Sequence, residues 1–203
     1  MSAEKYVIFV LGGPGAGKGT QCKMITEKYP IKHLSAGDLL RAAVKSGSKD
    51  GELINTIIKE GKIVPAQITI ELLIKAMKED KHQVFFIDGF PRNEENRSEW
   101  FRISEGSGIT AKYCVCFDVS EQEMLKRVIG RSASSGRVDD NVTSMQKRIT
   151  TYNTETKVVL DKFASDNMLV KIDGSLSVEE VNKTFSKFIE DFLTANNISK
   201  EMI

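Results

Sequence analysis

The chain has 203 residues, 40% of them hydrophobic and 28% charged, the balance of a soluble globular protein with enough apolar material for one sizeable core. Its 29 basic and 28 acidic side chains cancel to a formal charge of +1, which leaves no overall basic field for nucleic acid or for an anionic membrane surface. The three cysteines, Cys22, Cys114 and Cys116, form neither an even disulfide framework nor a CxxC pair, and no apolar run reaches the roughly 18 residues of a membrane span.

The first apolar run, Tyr6 to Leu11, is too short for a signal peptide and leads directly into GGPGAGKGT, Gly12 to Thr20. With no address on the chain, the cytoplasm is the expected compartment and the thiols are expected to be reduced. Against the GxxxxGK template, Gly12, Gly17 and Lys18 match, so a buried strand runs through a glycine loop into a helix. Glycines let backbone N–H groups turn inward on phosphate oxygens, Lys18 adds a point charge, and the helix start adds its positive end. A plain tight turn would need neither the lysine nor the flanking strand and helix. Gly19 stands where the template has Ser or Thr, and Thr20 follows one place later, so a bound metal is expected to be held mostly through water.

Lys18 to Lys28 reads as a helix broken at Tyr29-Pro30, and a short strand near His33-Leu34-Ser35 leads to a helix from Asp38, with Ser35 and Asp38 both suited to cap it. Residues 50 to 60 and 66 to 79 give two more helices, the second starting after Pro65. Gln83 to Ile87 is apolar on both faces, as a central parallel strand is, and ends at Asp88-Gly89. Asn93 caps a helix to about Glu105, and residues 113 to 119 form the next strand, in which Cys114 and Cys116 alternate as packing residues. Ser120-Glu121-Gln122-Glu123 has the form of a capping box for a helix to about Gly130. Ser132 to Asp140 reads as a short polar excursion. From Asn141 the positions Met145, Ile149, Tyr152, Val159 and Phe163 recur at helical spacing and predict one long helix with a buried stripe. Met168 to Ile172 is a last strand, and Ser177 to Glu180 caps a final helix to about Ala195. His33 and His82 lack metal-ligand spacing. Strands alternating with helices predict a parallel sheet covered on both faces, with ligands at the carboxyl ends of the strands.

Arginine is unevenly placed. All eight, Arg41, Arg92, Arg97, Arg102, Arg127, Arg131, Arg137 and Arg148, precede residue 149, whereas lysine runs end to end. Because the guanidinium fork binds phosphate bidentately, arginines clustered around a phosphate loop point to more than one phosphoryl group.

The segments GGPGAGKGTQC, HLSAGDLLR, EGKIVP, IDGFPRNEEN and SSGRVDDN, with Arg148 in QKRITTY, resemble the nucleoside monophosphate kinases, and within them the eukaryotic UMP/CMP kinases. The resemblance covers nearly the whole chain. It implies an α/β P-loop NTPase-type three-layer sandwich: one domain over 1–203, a five-stranded parallel sheet, a helical acceptor-binding segment at 36–65 and a short lid at 131–141. It further implies a monomer, cytoplasmic or nuclear, that transfers the γ-phosphoryl group of ATP to CMP, UMP and dCMP with Mg²⁺. An adenylate kinase acting on AMP and a non-catalytic nucleotide sensor stand as alternatives.

Residue by residue, the resemblance assigns Gly13, Pro14, Gly15, Ala16, Gly17, Lys18, Gly19 and Thr20 to the phosphates of ATP, Arg127 to its adenine and Arg131 to its phosphates. It places Ala36, Gly37, Arg41, Ile63, Val64, Gly89, Arg92 and Asn96 around the acceptor. Arg137 and Arg148 would converge on the phosphoryl group in transit, with Lys18, Arg92 and Arg131 beside them as the catalytic set. Asp88 would order water on Mg²⁺, and Asp139 and Asp140 would fix the lid arginines. Phe90-Pro91 is expected to be cis. Adenylate kinases, similar throughout, usually have threonine at Ala36 and glutamine at Asn96; the shorter amide suits a smaller ring and could flip between uracil O4 and the cytosine amino group. Arg97 and Arg102 are left as solvated helix surface. Position 158 has valine where the resemblance predicts proline, an alteration expected to touch only a helix bend. A GTPase-type switch is excluded, since no DxxG occurs and the one NK dipeptide, Asn182-Lys183, continues Thr184-Phe185. A dinucleotide oxidoreductase lacks its GxGxxG register.

Overall fold

The computed structural model describes residues 4–47, 50–135 and 142–201, with backbone alone at 131–135 and 142. Five parallel strands form its centre, β1 (Lys5–Leu11), β2 (Ile31–Ser35), β3 (Val84–Asp88), β4 (Ile109–Asp118) and β5 (Leu169–Asp173), in the order β2-β3-β1-β4-β5. The most hydrophobic strand takes the middle: β1 is buried from Val7 to Leu11 and pairs Val10 with Asp88 of β3 and Leu11 with Cys116 of β4. Helices cover both sides. On one, Phe86 and Phe117 each meet Phe185 of α9 (Val178–Ala195) at 5.3 Å between ring centres. On the other, Phe9 packs against Trp100 of α5 (Glu94–Ser104) at 5.4 Å and Phe163 of α8 (Lys157–Ser165) at 5.5 Å. The three cysteines are free and buried in this core.

Between β2 and β3 runs the expected helical excursion, α2 (Ala36–Lys45), α3 (Gly51–Lys59) and α4 (Ala66–Glu79). Leu40, Ile54 and Val64 give it a small core of its own, while Ala36 of α2 and Ala66, Ile70, Leu73 and Met77 of α4 join the main core and seat the excursion on the sheet. Ser35 is the cap of α2, accepting from the Asp38 N–H. Asn93 caps α5, and Ser177 with Glu180 completes a capping box on α9. At α6 (Glu121–Ser135) Ser120 accepts from Glu123 N–H, but the Glu123 carboxylate turns to Arg127 instead of closing the box.

Three expectations need correction. β4 begins at Ile109, four residues early, because a register shift against β1 between Val7 and Ile8 breaks the alternation that marks a strand in sequence. α6 continues to Ser135, so the first part of the expected 131–141 lid is the end of a helix, while 136–141 lies outside the described residues. The long helix from 141 is three pieces: α7 (Val142–Thr151), a π-helical turn (Tyr152–Thr156) and α8. A π turn inserts one residue without breaking the apolar stripe, so periodicity alone does not reveal it.

Candidate active site

The glycine loop joins β1 to α1 (Lys18–Thr26) at the carboxyl edge of the sheet. Gly17, the residue before α1, has φ 88°, a left-handed conformation natural only to glycine. A Cβ on Gly13 would fall on Met124 Sδ, so a larger residue there requires the Met124 side chain to move. Lys18 folds back over the loop, donating to the carbonyls of Gly12 at 2.8 Å and Gly13 at 2.9 Å. Burial pushes its ammonium below the usual lysine range, Asp88 opposes that shift, and Arg148 and Arg92 reinforce it. Such a group gains most when anionic phosphate replaces the neutral carbonyls.

A cleft of about 340 Å³ opens above the loop. Pro14 to Thr20 form one side, Asp88, Gly89 and Arg92 the floor beyond β3, and Ser35, Gly37, Asp38 and Arg41 the start of α2, whose N-terminus adds its positive end. Arg148 of α7 closes it from above with Thr151, Tyr152 and Thr156. A narrower recess of about 40 Å³ continues from the cleft toward α4 and α5, lined by Ala36, Ile63, Val64 and Asn96 among others. Arg41, Arg92 and Arg148 line both spaces, with Gly37, Gly61 and Gly89. Three of the expected phosphate-binding arginines therefore stand where the two meet. Arg92 is set by its neighbours: its Nε donates to Gly89 O at 2.9 Å, its N–H to Asn96 Oδ1 at 3.1 Å, and its carbonyl accepts from Thr156 Oγ1 at 2.8 Å. Arg41 pairs with Asp38, and Phe90-Pro91 is cis.

Asn96 is buried, 3% exposed. Its oxygen takes the Arg92 N–H, which fixes the amide. Flipping it would set an NH₂ group against that N–H, so the structure removes the expected flip. Arg127 stands outside the cleft lining: its Cβ borders Gly15, and its guanidinium bonds Glu123 at 2.8 Å and Gly174 O at 3.0 Å, bridging the loop to the turn after β5. Arg131 is described only as helical backbone, and Arg137, Asp139 and Asp140 lie outside the described residues. Arg102 is the solvated surface residue expected, paired with Glu99. Arg97 is not. Its side chain is 16% exposed, bonded to Glu94 and Asp166 and lying over the rings of Phe101 and Phe163, because α8 packs where solvent was assumed.

Sequence reasoning passed over His33, whose Nε2 reaches within 3.3 Å of Asp88 Oδ2 inside the cleft; parallel pairing of β2 with β3 creates that contact, and no local spacing announces it. It also missed the polar lining Asp38, Gly61, Thr151 and Thr156, and read Tyr152 as core only. Tyr152 is buried beside Cys116 Sγ at 3.8 Å, and burial, with the cysteine, pushes its phenol far up. Among the described residues no group of three or more His, Cys, Asp or Glu gathers as a metal site. Oxygen donors at the cleft, Asp88 and Thr20, suit a hard cation that arrives with phosphates and keeps most of its waters, as Mg²⁺ does.

Residues 10–168 match the family model described as adenylate kinase. The chain is similar to a UMP-CMP kinase of Danio rerio, 47% identical over 193 residues, which are 92% of this chain and 98% of that protein. It is also similar to a UMP-CMP kinase 3 of Arabidopsis thaliana, 49% identical over 175 residues, 86% of this chain and 84% of that one. A UMP-CMP kinase 3 of Oryza sativa subsp. japonica is 47% identical over 175 residues, 86% of this chain and 81% of that one.

Proposed function

Since the chain belongs to the adenylate kinase family, we propose that it transfers the γ-phosphoryl group of ATP to CMP and UMP, giving ADP and the nucleoside diphosphate, with dCMP a further acceptor. It is a nucleoside monophosphate kinase. The observation that carries the assignment of sides is that Arg41, Arg92 and Arg148 line the loop cleft and the recess at once. A donor bound on the loop and an acceptor whose base fills the recess would then bring their phosphates together at those guanidinium groups.

The acceptor is already a phosphate oxyanion, so the transfer needs no general base, and the protein's task reduces to in-line positioning and to stabilising the charge that spreads over the moving group. Lys18 would leave the carbonyls of Gly12 and Gly13 for the ATP phosphates. Arg41 and Arg92 would hold the acceptor phosphate, and Arg148, with Arg137 from the lid, the group in transit. Arg127 and Arg131 would contact ATP, with Asp139 and Asp140 fixing the lid arginines. Mg²⁺, held by the phosphates and through water by Asp88, would offset their negative charge. Closure of 131–141 and 36–65 over the ligands would exclude water and so prevent hydrolysis.

Asn96 supports a single-ring base. With Oδ1 partly used by Arg92, its second lone pair can accept from uracil N3–H or the cytosine amino group, while Nδ2 donates to uracil O2 or cytosine N3, the ring sliding by one position between the two. One amide orientation serves both bases. Rates for CMP, UMP, dCMP and AMP with ATP, followed by coupled ADP formation, test the reading. CMP and UMP are expected to turn over far faster than AMP. Equal or better use of AMP would make the protein an adenylate kinase, and no turnover of any acceptor would leave the sensor alternative.

A further inference from the structure

The recess holds a polar group that none of the roles above uses, the hydroxyl of Thr69. Thr69 lies in the first turn of α4, is 5% exposed and lines the recess with Asn96. Helical threonines ordinarily hide the hydroxyl by bonding the carbonyl four residues back, and Thr56, Thr150, Thr154, Thr184 and Thr194 all do so here. Thr69 does not: the carbonyl four back belongs to Pro65 and takes the Thr69 backbone N–H at 3.5 Å, while Oγ1 has no hydrogen-bond partner among the described residues. Nor is that oxygen among the sealed side-chain atoms that lack partners, so it opens into the recess it lines. Asn96 Nδ2 is in the same position on α5. Ala36, Leu40, Ile58, Ile63, Val64 and Phe90 give the recess apolar walls; its charged lining is the three arginines shared with the cleft and Lys62, whose ammonium pairs with Glu60. An apolar slot with two open polar groups from two different helices fits a flat heteroaromatic ring with a polar edge.

We propose that Thr69 is a specificity-determining residue whose hydroxyl hydrogen-bonds the polar edge of a pyrimidine base. This rests on the reading of the acceptor as a pyrimidine nucleoside monophosphate. A hydroxyl rotates to donate or to accept, so it serves the C4 carbonyl of uracil by giving its proton and the C4 amino group of cytosine by offering a lone pair. Leaving a buried hydroxyl unpaired is costly, and the base is what would satisfy it.

The test is kcat/KM for CMP, UMP and AMP at saturating ATP in the full chain and its Thr69→Val and Thr69→Ser variants, with the KM for ATP and thermal unfolding as controls. Valine keeps the shape and removes the hydroxyl; serine keeps the hydroxyl. Loss of one neutral hydrogen bond predicts a fall of about tenfold for CMP and UMP in Thr69→Val. Values for AMP and for the KM of ATP should stay within about twofold, and Thr69→Ser should retain most of the wild-type value. An unchanged Thr69→Val enzyme that still prefers pyrimidines overturns this inference alone, as do equal losses in the serine and valine variants or an equal loss for AMP. A wild-type preference for AMP overturns the acceptor assignment and this inference with it. If the valine variant does not fold, Thr69→Ala replaces it under the same criteria.

Discussion

Arg92 and Arg97 stand five residues apart on the same stretch of chain and do opposite things. The Arg92 guanidinium lines both ligand spaces, held at Nε by Gly89. Arg92→Ala should lower the transfer rate by about 10²- to 10³-fold, as removal of a group that stabilises transition-state charge does, while circular dichroism and the melting temperature stay near wild type. Arg97 binds Glu94 and Asp166 and covers Phe101 and Phe163, far from any role in transfer. Arg97→Met should cost about 1–2 kcal/mol, since its acidic partners are partly exposed and can be rehydrated, with activity per folded molecule unchanged. Urea unfolding and a rate normalised to folded protein check both halves. At the opposite edge of the sheet, Asp80 is half-buried, which alone would raise its pKa, yet the N–H and ring of His82 and the Lys32 ammonium hold it at about 2, below the ordinary 3.8. A depressed folded pKa means stability present above pH 3.8 and lost as pH falls through about 2. Unfolding midpoints between pH 5 and pH 2 should therefore drop more steeply for wild type than for Asp80→Asn, by of order 2 kcal/mol.

Among the elements, the π-helical turn Tyr152–Thr156 connects most directly to the site. It lies between α7, which carries Arg148, and α8, whose Val159 and Phe163 are core residues, and it turns Tyr152 and Thr156 into the cleft lining. π turns are frequent at functional sites because the extra residue re-aims side chains without unravelling the helix. Thr156, 5% exposed, donates from Oγ1 to the Arg92 carbonyl at 2.8 Å, tying this turn to the segment that presents the acceptor-side arginine. Thr156→Val should reduce kcat by about tenfold through a looser Arg92, with the KM for ATP unchanged, and Thr156→Ser should restore it. Equal loss in both variants would mean that the methyl group, not the hydroxyl, matters.

For the molecule as a whole, the cleft is shared between the sheet edge, the α2–α4 excursion with its separate small core, and α7. Ligands bridging these parts bind only the folded state and should raise its stability by mass action. At 100 times its Kd a nucleotide adds about 2.7 kcal/mol. For a chain of this size that corresponds to a rise in Tm of roughly 5–10 °C. Thermal shifts with CMP, UMP and ATP measured separately should each show it, and AMP should give the smallest shift among the monophosphates at equal concentration.

What sequence alone determined was local. The apolar run, the glycines and Lys18 are contiguous, so the phosphate loop could be read as one motif, and the order of strands and helices followed from short-range periodicity and caps such as Asn93 and Ser177. What only tertiary structure decided depends on residues distant in the chain. Packing of α8 on α5 made Arg97 a half-buried clamp, pairing of β2 with β3 brought His33 to Asp88, and the π turn delivered Thr156 to Arg92. The same long-range packing left the Thr69 hydroxyl open in the recess beside Asn96. Spacing encodes which face of an element is apolar. Which distant polar group that face will meet is set by the energetics of packing one element against another, and no single stretch of sequence contains that.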